Sequence, residues 1–205
     1  MTGTEWFFMK MASSPLSSPR GTTLIQPIII LACILAFLSG CPSDKVSPGP
    51  ETLSLKNRIQ TIVDPVLPEL SVNFQRKKRK QVKAILDKLY ADLNGSDEKS
   101  PFFLALLDSH GVTITSRTKT LLSGSQNYGN YHVIANVIQK RKTITSSLYL
   151  QGGAKVYIIC VPLINKTKLV GVIILGIDSE YLRQTGITEA QFMSLDFNSQ
   201  TDGAP

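Results

Sequence analysis

Two β-strands joined by a short turn are predicted from the stretch VYIICVPLINKTKLVGVIILGID, residues 156–178. Residues 156–164 and 169–177 are almost entirely apolar, which is typical of strands buried at the centre of a sheet. The polar residues 165–167 leave room only for a tight connection, and strands joined in this way must be antiparallel. We therefore expect this pair to form the core of a sheet. The side chains expected to be buried there are Ile158, Cys160, Val172 and Ile174.

The strands that precede this pair are shorter. Residues 102–107 form an apolar run, residues 108–111 have the composition of a turn, and residues 112–116 alternate apolar and polar side chains. Together these three segments predict a hairpin. Another strand is expected over residues 144–150, followed by a Gly-Gly hairpin turn at residues 152–153.

The first part of the domain is expected to be helical. Apolar residues recur at helical spacing over residues 55–93, interrupted by two prolines. Asp64 can cap a helix that restarts with Pro65 in its first turn, and Asn94 followed by Gly95 is a typical helix end. We expect a long or kinked pair of helices.

The order of these elements predicts an α+β domain built on one antiparallel sheet. The long N-terminal helix has the largest apolar stripe, so it is expected to cover one face of the sheet. Residues 118–131 form a polar, Gly-rich loop and residues 132–139 a short helix, and both are expected to lie over the other face. A last helix is expected to begin at Asp178 and Ser179.

Two segments of this arrangement resemble the extracytoplasmic PAS-like sensor domains called Cache domains. Residues 161–172, followed by Asp-Ser-Glu-Tyr-Leu at residues 178–182, are similar to the end of a Cache domain. That end has a strand with a Pro, a polar turn, a strand with Gly-Val, and a helix that starts with an acidic residue, Tyr and Leu. The hairpin at residues 107–112 resembles the first strand pair of these domains. The resemblance covers residues 51–184 and implies a five-stranded antiparallel PAS/Cache-like sheet with a long N-terminal helix.

The resemblance also implies a small-molecule ligand. Cache domains bind organic acids, amino acids or amines between the sheet and the segment that joins strands two and three. Of the Arg and the Trp-Tyr pair that amino-acid binders carry before strand three, only Tyr131 has a match here. Gly176 stands where amine binders place an Asp. Because a glycine cannot pair with an ammonium group, we expect a neutral or anionic ligand.

The candidate ligand-binding residues lie along this joining segment and on the central strands. Arg117 could hold a carboxylate with two hydrogen bonds, or it could be a solvated arginine. The aromatic residues of the loop could line the same pocket or simply cover the core, and those of the strands could face the pocket or the sheet. The full candidate set is Arg117, Tyr128, Tyr131, His132, Tyr149 and Tyr157.

The first 40 residues have the layout of an export signal. Lys10 and Arg20 precede an apolar run at residues 24–38, which is shorter than the roughly 20 residues that span a membrane. The run ends in Leu-Ser-Gly-Cys at residues 38–41, which resembles the lipobox of bacterial lipoproteins. We expect cleavage before Cys41 and lipid on its thiol, and the alternative is an uncleaved N-terminal anchor helix.

Four segments follow from this interpretation. They are a lipoprotein signal peptide at residues 1–40, a linker rich in Pro, Ser and Gly at 41–51, the Cache-like PAS-fold domain at 52–185, and a C-terminal tail at 186–205. With Cys41 carrying lipid, Cys160 has no partner for an intrachain disulfide. We expect an exported, membrane-anchored lipoprotein that faces the periplasm or lies on the cell surface.

A dense basic run contributes to the formal net charge of +7. Nucleic acid is not an expected partner of an exported protein, so the polyanions available to the run are phospholipid headgroups or lipopolysaccharide. A polybasic face near a lipid anchor strengthens attachment to an anionic membrane, whereas the alternative is a solvated helix face. The candidate membrane-surface residues are Arg76, Lys77, Lys78, Arg79 and Lys80.

The sequence contains no nucleophile motif, no paired carboxylates and no metal-ligand spacing. We therefore expect no enzyme activity, no cofactor and no metal. The leading hypothesis is a membrane-tethered, extracytoplasmic small-molecule-binding or sensing module that acts through a partner protein or a homodimer. The alternative is a structural or protein-interaction lipoprotein that binds no ligand.

Overall fold

A computed structural model describes residues 46–95, 100–118, 127–149 and 153–198. The helices are α1 (Pro50–Val63), α2 (Leu67–Gln75), α3 (Arg79–Asn94), α4 (His132–Lys140), α5 (Ser179–Gln184) and α6 (Glu189–Met193). The strands are β1 (Phe102–Asp108), β2 (Thr113–Arg117), β3 (Ile144–Tyr149), β4 (Lys155–Asn165) and β5 (Lys168–Asp178). The predicted signal peptide, Cys41, Gly152 and most of the 118–131 loop lie outside the described residues.

The five strands form one antiparallel sheet in the order β2-β1-β5-β4-β3. Strand β5 lies at its centre, paired with β1 on one side and β4 on the other. The β4–β5 hairpin turns through Lys166 and Thr167, with Asn165 paired opposite Lys168. The α+β fold with a five-stranded antiparallel PAS/Cache-like sheet is therefore confirmed. All four of the side chains predicted to fill the centre are buried, namely Ile158, Cys160, Val172 and Ile174.

Three N-terminal helices, rather than one long helix, cover the first face of the sheet. They pack on alternate residues of β1, β4 and β5, such as Leu104, Ile159 and Leu175. Alternate residues share a face because the side-chain period of a strand is two. The buried helical side chains are Leu55, Ile59, Val63, Leu70, Val82, Leu86, Leu89 and Leu93.

The break between α1 and α2 differs from the prediction. Asp64 follows the last residue of α1 and is its C-terminal cap, not the N-terminal cap of the next helix. Pro68, rather than Pro65, occupies the first turn of α2. A proline is tolerated in that turn because its missing N–H would have no partner within the helix.

Helix α3 ends where predicted and is joined to β1 by one side chain. Gly95 follows Asn94 with a positive φ of 57°. The Asn94 amide donates to the Phe102 carbonyl at 3.2 Å, and its oxygen accepts from the Phe102 N–H at 2.9 Å. Because this side chain is buried, the two bonds replace water for both residues.

Helix α4 covers the second face of the sheet. Its residues Val133, Ile134 and Val137 are buried against this face. The sheet contributes Ala105, Leu107, Val156, Ile158, Cys160, Val172 and Ile174 to the same cluster. The expected division is thus observed, with the N-terminal helices on one face and the short helix on the other.

The C-terminal tail predicted from residue 186 is not a tail over its first part. Ile187, Phe192 and Leu195 are buried in the cluster beneath the N-terminal helices. Asn198 exchanges hydrogen bonds with the backbone of Thr143, at 2.8 and 2.9 Å. The tail was predicted from its polar composition, but three apolar side chains spaced along it are enough to dock it.

The described domain begins slightly earlier than predicted. Residues 46–49 have no regular structure and α1 starts at Pro50, inside the segment expected to be linker. Among the described residues, no helix is both long and apolar enough to cross a membrane.

Candidate ligand site

The turn between β1 and β2 holds the end of the long loop in place. The Asp108 carboxylate accepts from the N–H groups of His110 and Val112 at 2.8 and 2.9 Å, which closes the turn. The carbonyl of Gly111 accepts from the N–H of Tyr128 at 2.8 Å. A Cβ on Gly111 would lie 2.4 Å from the Cα of Gly129, so only glycine permits this approach. The backbone at residues 128–129, just before α4, is therefore held at a fixed point beside the β1–β2 turn.

Two tyrosines follow this fixed point on the second face of the sheet. Tyr128 is 8% exposed and belongs to the cluster beneath α4, whereas Tyr131 is 48% exposed and is the N-cap residue of that helix. Their ring centroids lie 5.5 Å apart with the planes tilted at 52°. Burial raises the pKa of the Tyr128 phenol, and Tyr131 adds to this shift. The pair forms an uncharged aromatic surface, in which the Tyr128 ring belongs to the apolar core and the Tyr131 ring is half exposed to solvent.

Phe103 occupies the space that Gly176 leaves on the same face. The two residues are directly paired between β1 and β5. A Cβ on Gly176 would lie 1.7 Å from Cζ of the Phe103 ring. An aromatic ring covering a cross-strand glycine is a known device for filling a sheet. The place of the Asp that amine binders carry is thus filled by an apolar ring, a feature that the sequence interpretation missed.

Arg117 lies on the opposite face from these tyrosines, contrary to the expectation that they wall one pocket. It is paired directly with Leu104, whose side chain packs beneath the N-terminal helices. Its guanidinium forms an ion pair with Asp87 of α3 and donates to the Ser116 carbonyl at 2.8 Å. The hydrogen bond from Arg117 lowers the pKa of the Asp87 carboxyl. The buried Nη2 of Arg117 has no hydrogen-bond partner among the described residues.

Tyr149 and Tyr157 also lie on the helical face, at the β3 edge. Tyr157 is buried against Phe192, with ring centroids 5.3 Å apart. Tyr149 is 72% exposed, and the ammonium of Lys155 lies 5.6 Å from its ring and 5.4 Å from that of Tyr157. Lys155 forms an ion pair with Glu189, which raises the pKa of the lysine and lowers that of the glutamate. These two tyrosines belong to the docking site of the C-terminal segment.

His132 lies beside the tyrosine pair but points to solvent. Its ring nitrogens are 3.2 and 3.3 Å from the Asn136 amide, one turn along α4. In the part of the chain that the structure describes, no group of His, Cys, Asp or Glu side chains could hold a metal ion. Of the six candidate residues, the structure brings together Tyr128, Tyr131 and His132.

The basic run is divided between a helix end and a helix start. Arg76 caps α2, Lys77 has a positive φ of 56°, Lys78 is the N-cap residue of α3, and Arg79 with Lys80 begins that helix. Lys77 and Arg79 line a cleft of about 730 Å³ on the helical side of the sheet. Lys83, which follows closely after the basic run, and Lys168 line it as well.

No protein-family profile matches the chain, and no curated protein matches it either. Solved structures with partial similarity are sensory and extracellular ligand-binding domains, the class indicated by the sequence resemblance. One is a domain of a sensory box/GGDEF family protein from Vibrio parahaemolyticus, at 15% identity and a TM-score of 0.49, covering 69% of this chain and 60% of that one.

Two other solved structures have lower TM-scores. The ligand-binding domain of the Pseudomonas fluorescens chemoreceptor CtaA, solved with L-isoleucine, is 13% identical at a TM-score of 0.45, covering 80% of this chain and 64% of that one. The sensor domain of the V. cholerae histidine kinase DctB is 20% identical at a TM-score of 0.37, covering 80% and 57%. The chain thus spans between 57% and 64% of the length of these three structures.

Proposed function

We propose that this domain is a small-molecule-binding sensor module that works outside the cytoplasm and acts through a protein partner. The supporting observation is the tyrosine pair at the edge of the second sheet face. Tyr128 is anchored in the core, Tyr131 is half exposed, and the backbone before them is held by Gly111. A rigid aromatic wall over an apolar floor is a typical feature of ligand sites.

The ligand in this proposal is neutral or anionic. Phe103 places an apolar ring where an amine-binding site needs a carboxylate. An ammonium group would lose its hydration there without gaining a charged partner, which is costly. Neutral or acidic metabolites that present an apolar surface to Phe103 and Tyr131 suit the site better.

A screen of metabolites by thermal shift, followed by calorimetry of the hits, tests this proposal on the full chain. The screen should contain organic acids, neutral amino acids and amines in equal numbers. Tyr131→Ala should weaken binding of a hit by about tenfold, the loss of roughly 1.4 kcal/mol expected for an aromatic contact. Tyr149→Ala is the matched control, because Tyr149 lies on the other face at the sheet edge. Tight binding of an amine, or equal effects of both variants, would contradict the proposed site.

The second candidate function is that of an interaction lipoprotein without a ligand. The observation that favours it is again Phe103, since its ring already fills the sheet face above Gly176. In that case no metabolite class stabilises the protein. Tyr131, which is half exposed, would instead contact a partner protein, and Tyr131→Ala would weaken that contact while leaving the melting temperature unchanged.

Anchoring through lipid on Cys41 is the remaining part of the proposal. It rests on the Leu-Ser-Gly-Cys sequence at residues 38–41 and on the apolar run before it. A lipid tether would hold the sensor at a membrane surface, where a membrane-embedded partner lies within reach. The seven residues that separate Cys41 from Gly49 can extend over roughly 25 Å.

A further inference from the structure

The cleft lined by Lys77 and Arg79 lies on the helical side of the sheet, away from the tyrosine pair. It is enclosed by the turn between α2 and α3, by the β1–β2 hairpin and by the start of β5, and its volume is about 730 Å³. Such a volume lies within the range of small-molecule sites in proteins. None of the candidate ligand-binding residues lines this cleft.

Four cations converge on the cleft from three separate parts of the chain. They are Lys77 in the turn, Arg79 and Lys83 on α3, and Lys168 at the start of β5. Among the residues that the structure describes, no acidic residue lines the cleft. The ion pairs among the described residues involve other cations, so none of these four is paired with a carboxylate there.

The carboxylate close to Lys83 is already engaged. Asp87, one turn further along α3, forms its ion pair with Arg117. The first turn of α3 also carries no acidic residue to offset its basic side chains. The cleft therefore keeps its positive charge, and like charges held together in this way attract a counter-anion.

The floor of the same cleft is apolar. Phe74 of α2, Val82 of α3, and Leu169 with Val170 of β5 form it. Phe74 packs against Gly171, where a Cβ would lie 2.9 Å from its ring. Ile114 of β2 is 50% exposed and lines the cleft as well. An inorganic anion would leave this apolar surface in water, whereas a ligand with a hydrocarbon part would cover it.

We propose that this cleft binds an anionic amphiphile, a molecule with a phosphate or carboxylate head and a single apolar chain. The head lies among Lys77, Arg79, Lys83 and Lys168, and the chain lies on Phe74, Val82 and Ile114. Both a monomeric amphiphile and an anionic lipid of a membrane have this chemistry. The site is independent of the proposed sensor site, since the two use opposite faces of the sheet.

Octyl phosphate is the test ligand, because its monomer combines both features. Its dissociation constant is measured from the thermal shift of the full chain, which is kept in nanodiscs of a single neutral lipid composition. The dissociation constants of inorganic phosphate and octyl glucoside are measured in the same way for comparison. Octyl phosphate should bind at least about tenfold more tightly than either, since each of these lacks the chain or the charge. Equal binding of inorganic phosphate, or no binding of octyl phosphate, would overturn the proposal.

Charge-removing variants separate the cleft from a diffuse basic surface. Lys83→Gln and Lys168→Gln should each weaken binding of octyl phosphate by about threefold to tenfold, as expected for partly exposed ion pairs. Lys80→Gln is the matched control, because Lys80 belongs to the same basic run but does not line the cleft. If Lys80→Gln weakens binding as much as Lys83→Gln, the basic run acts as a surface and the cleft proposal is wrong.

One variant guards against an effect on folding. Lys77 has a left-handed backbone conformation that glycine adopts without strain, so Lys77→Gly removes the charge and should not lower stability through the backbone. It should weaken binding while the melting temperature without ligand stays equal or rises. Unchanged affinity in this variant and in Lys83→Gln would exclude the four-cation site.

A vesicle arm distinguishes the two sources of the ligand. The full chain is allowed to bind phosphatidylglycerol vesicles, with phosphatidylcholine vesicles as the reference, and octyl phosphate is then added. If octyl phosphate displaces the protein from phosphatidylglycerol, and Lys83→Gln weakens this binding more than Lys80→Gln does, the cleft takes a membrane lipid. If octyl phosphate binds the cleft without changing vesicle binding, the source is a free amphiphile.

Discussion

At the scale of single residues, glycines and one cysteine show how tightly this sheet is packed. Gly176 accommodates the Phe103 ring, and Gly171 accommodates the ring of Phe74 and the Leu107 carbonyl. Each close contact lies beside a proposed site, one on each face of the sheet. Cys160, in contrast, has a purely structural position in the core.

Replacing Gly176 by alanine should destabilise the protein by about 1–3 kcal/mol, because the new methyl group overlaps the Phe103 ring. Denaturant unfolding measures the change. In the background of Phe103→Ala the same replacement should cost much less, because the methyl group then enters the space of the ring. Additive effects of the two changes would show that the ring does not lie over Gly176.

The Cys160 thiol should resist modification until the protein unfolds. Burial raises its pKa to about 12, so the reactive thiolate is absent at neutral pH. The stability that accompanies this shift is fully present below about pH 9, the ordinary pKa, and is lost as the pH rises towards about 12. Thiol labelling with and without denaturant checks the first point. Unfolding of wild type and Cys160→Val from pH 8 to 11 checks the second, and the variant should lack this part of the pH dependence.

At the scale of elements, the joints between helices and strands rest on a few side chains. Asn94 joins α3 to β1, and Phe192 docks α6 against Tyr157 of β4. The Asn94 contact supports the helical layer, and the Phe192 contact holds the C-terminal end of the domain in place.

Asn94→Ala should cost about 1–3 kcal/mol of stability, because the buried Phe102 N–H loses its acceptor. Asn94→Asp keeps an acceptor for the Phe102 N–H but places a buried carboxylate against the Phe102 carbonyl, so at neutral pH it should cost at least as much as alanine. Urea unfolding of the three proteins measures this order. A neutral Asn94→Ala would contradict the role of this side chain at the joint.

Phe192→Ala should destabilise the domain by about 3–5 kcal/mol, as expected for a fully buried aromatic side chain. Met193→Ala, at the neighbouring exposed position, should change stability by less than about 0.5 kcal/mol. Thermal unfolding of both variants provides the comparison. Equal, small effects would mean that the segment from residue 187 onward is a tail after all.

At the scale of the whole molecule, the two proposed sites on opposite sheet faces share one structural support. The β1–β2 hairpin lines the basic cleft with Ser109 and Thr113 and holds the tyrosine segment through Gly111. A lipid tether at Cys41 would place both sites close to a membrane, which is where an anionic amphiphile and a membrane-embedded partner occur.

Cys41→Ala should abolish incorporation of an alkyne fatty acid when the chain is expressed in bacteria, and the precursor should keep its full length. The reason is that the thiol is the acceptor of the lipid that precedes cleavage. Cys33→Ala is the matched control, since Cys33 lies within the apolar run and should not affect labelling. A wild-type protein that is processed without any lipid label would disprove the lipoprotein hypothesis.

The sequence alone was sufficient for the strands, for most of the helices and for the grouping of the strands into an antiparallel sheet. Hydrophobic period, turn residues and helix ends are local signals, so the β4–β5 pair, the stop at Asn94 and the buried residues of the sheet centre could be predicted. The resemblance to Cache domains added the expectation of a small-molecule ligand and of its place beside the segment that joins strands two and three. The break after α1 was placed wrongly because Pro65 and Pro68 offer two equivalent local solutions.

Which residues lie together at each proposed site was decided by the tertiary structure. The face of the sheet to which a side chain points depends on the register in which the strands pair. A shift of one residue moves a side chain to the other face of a strand. The pairing of Arg117 with Leu104 sends the guanidinium to α3 and away from Tyr128, and the pairing of Phe103 with Gly176 fills a position that looked empty. The basic cleft joins Lys77 and Lys168, which are far apart in the chain. No local pattern contains such a contact, since only the packing of the helical layer on the sheet brings these residues together.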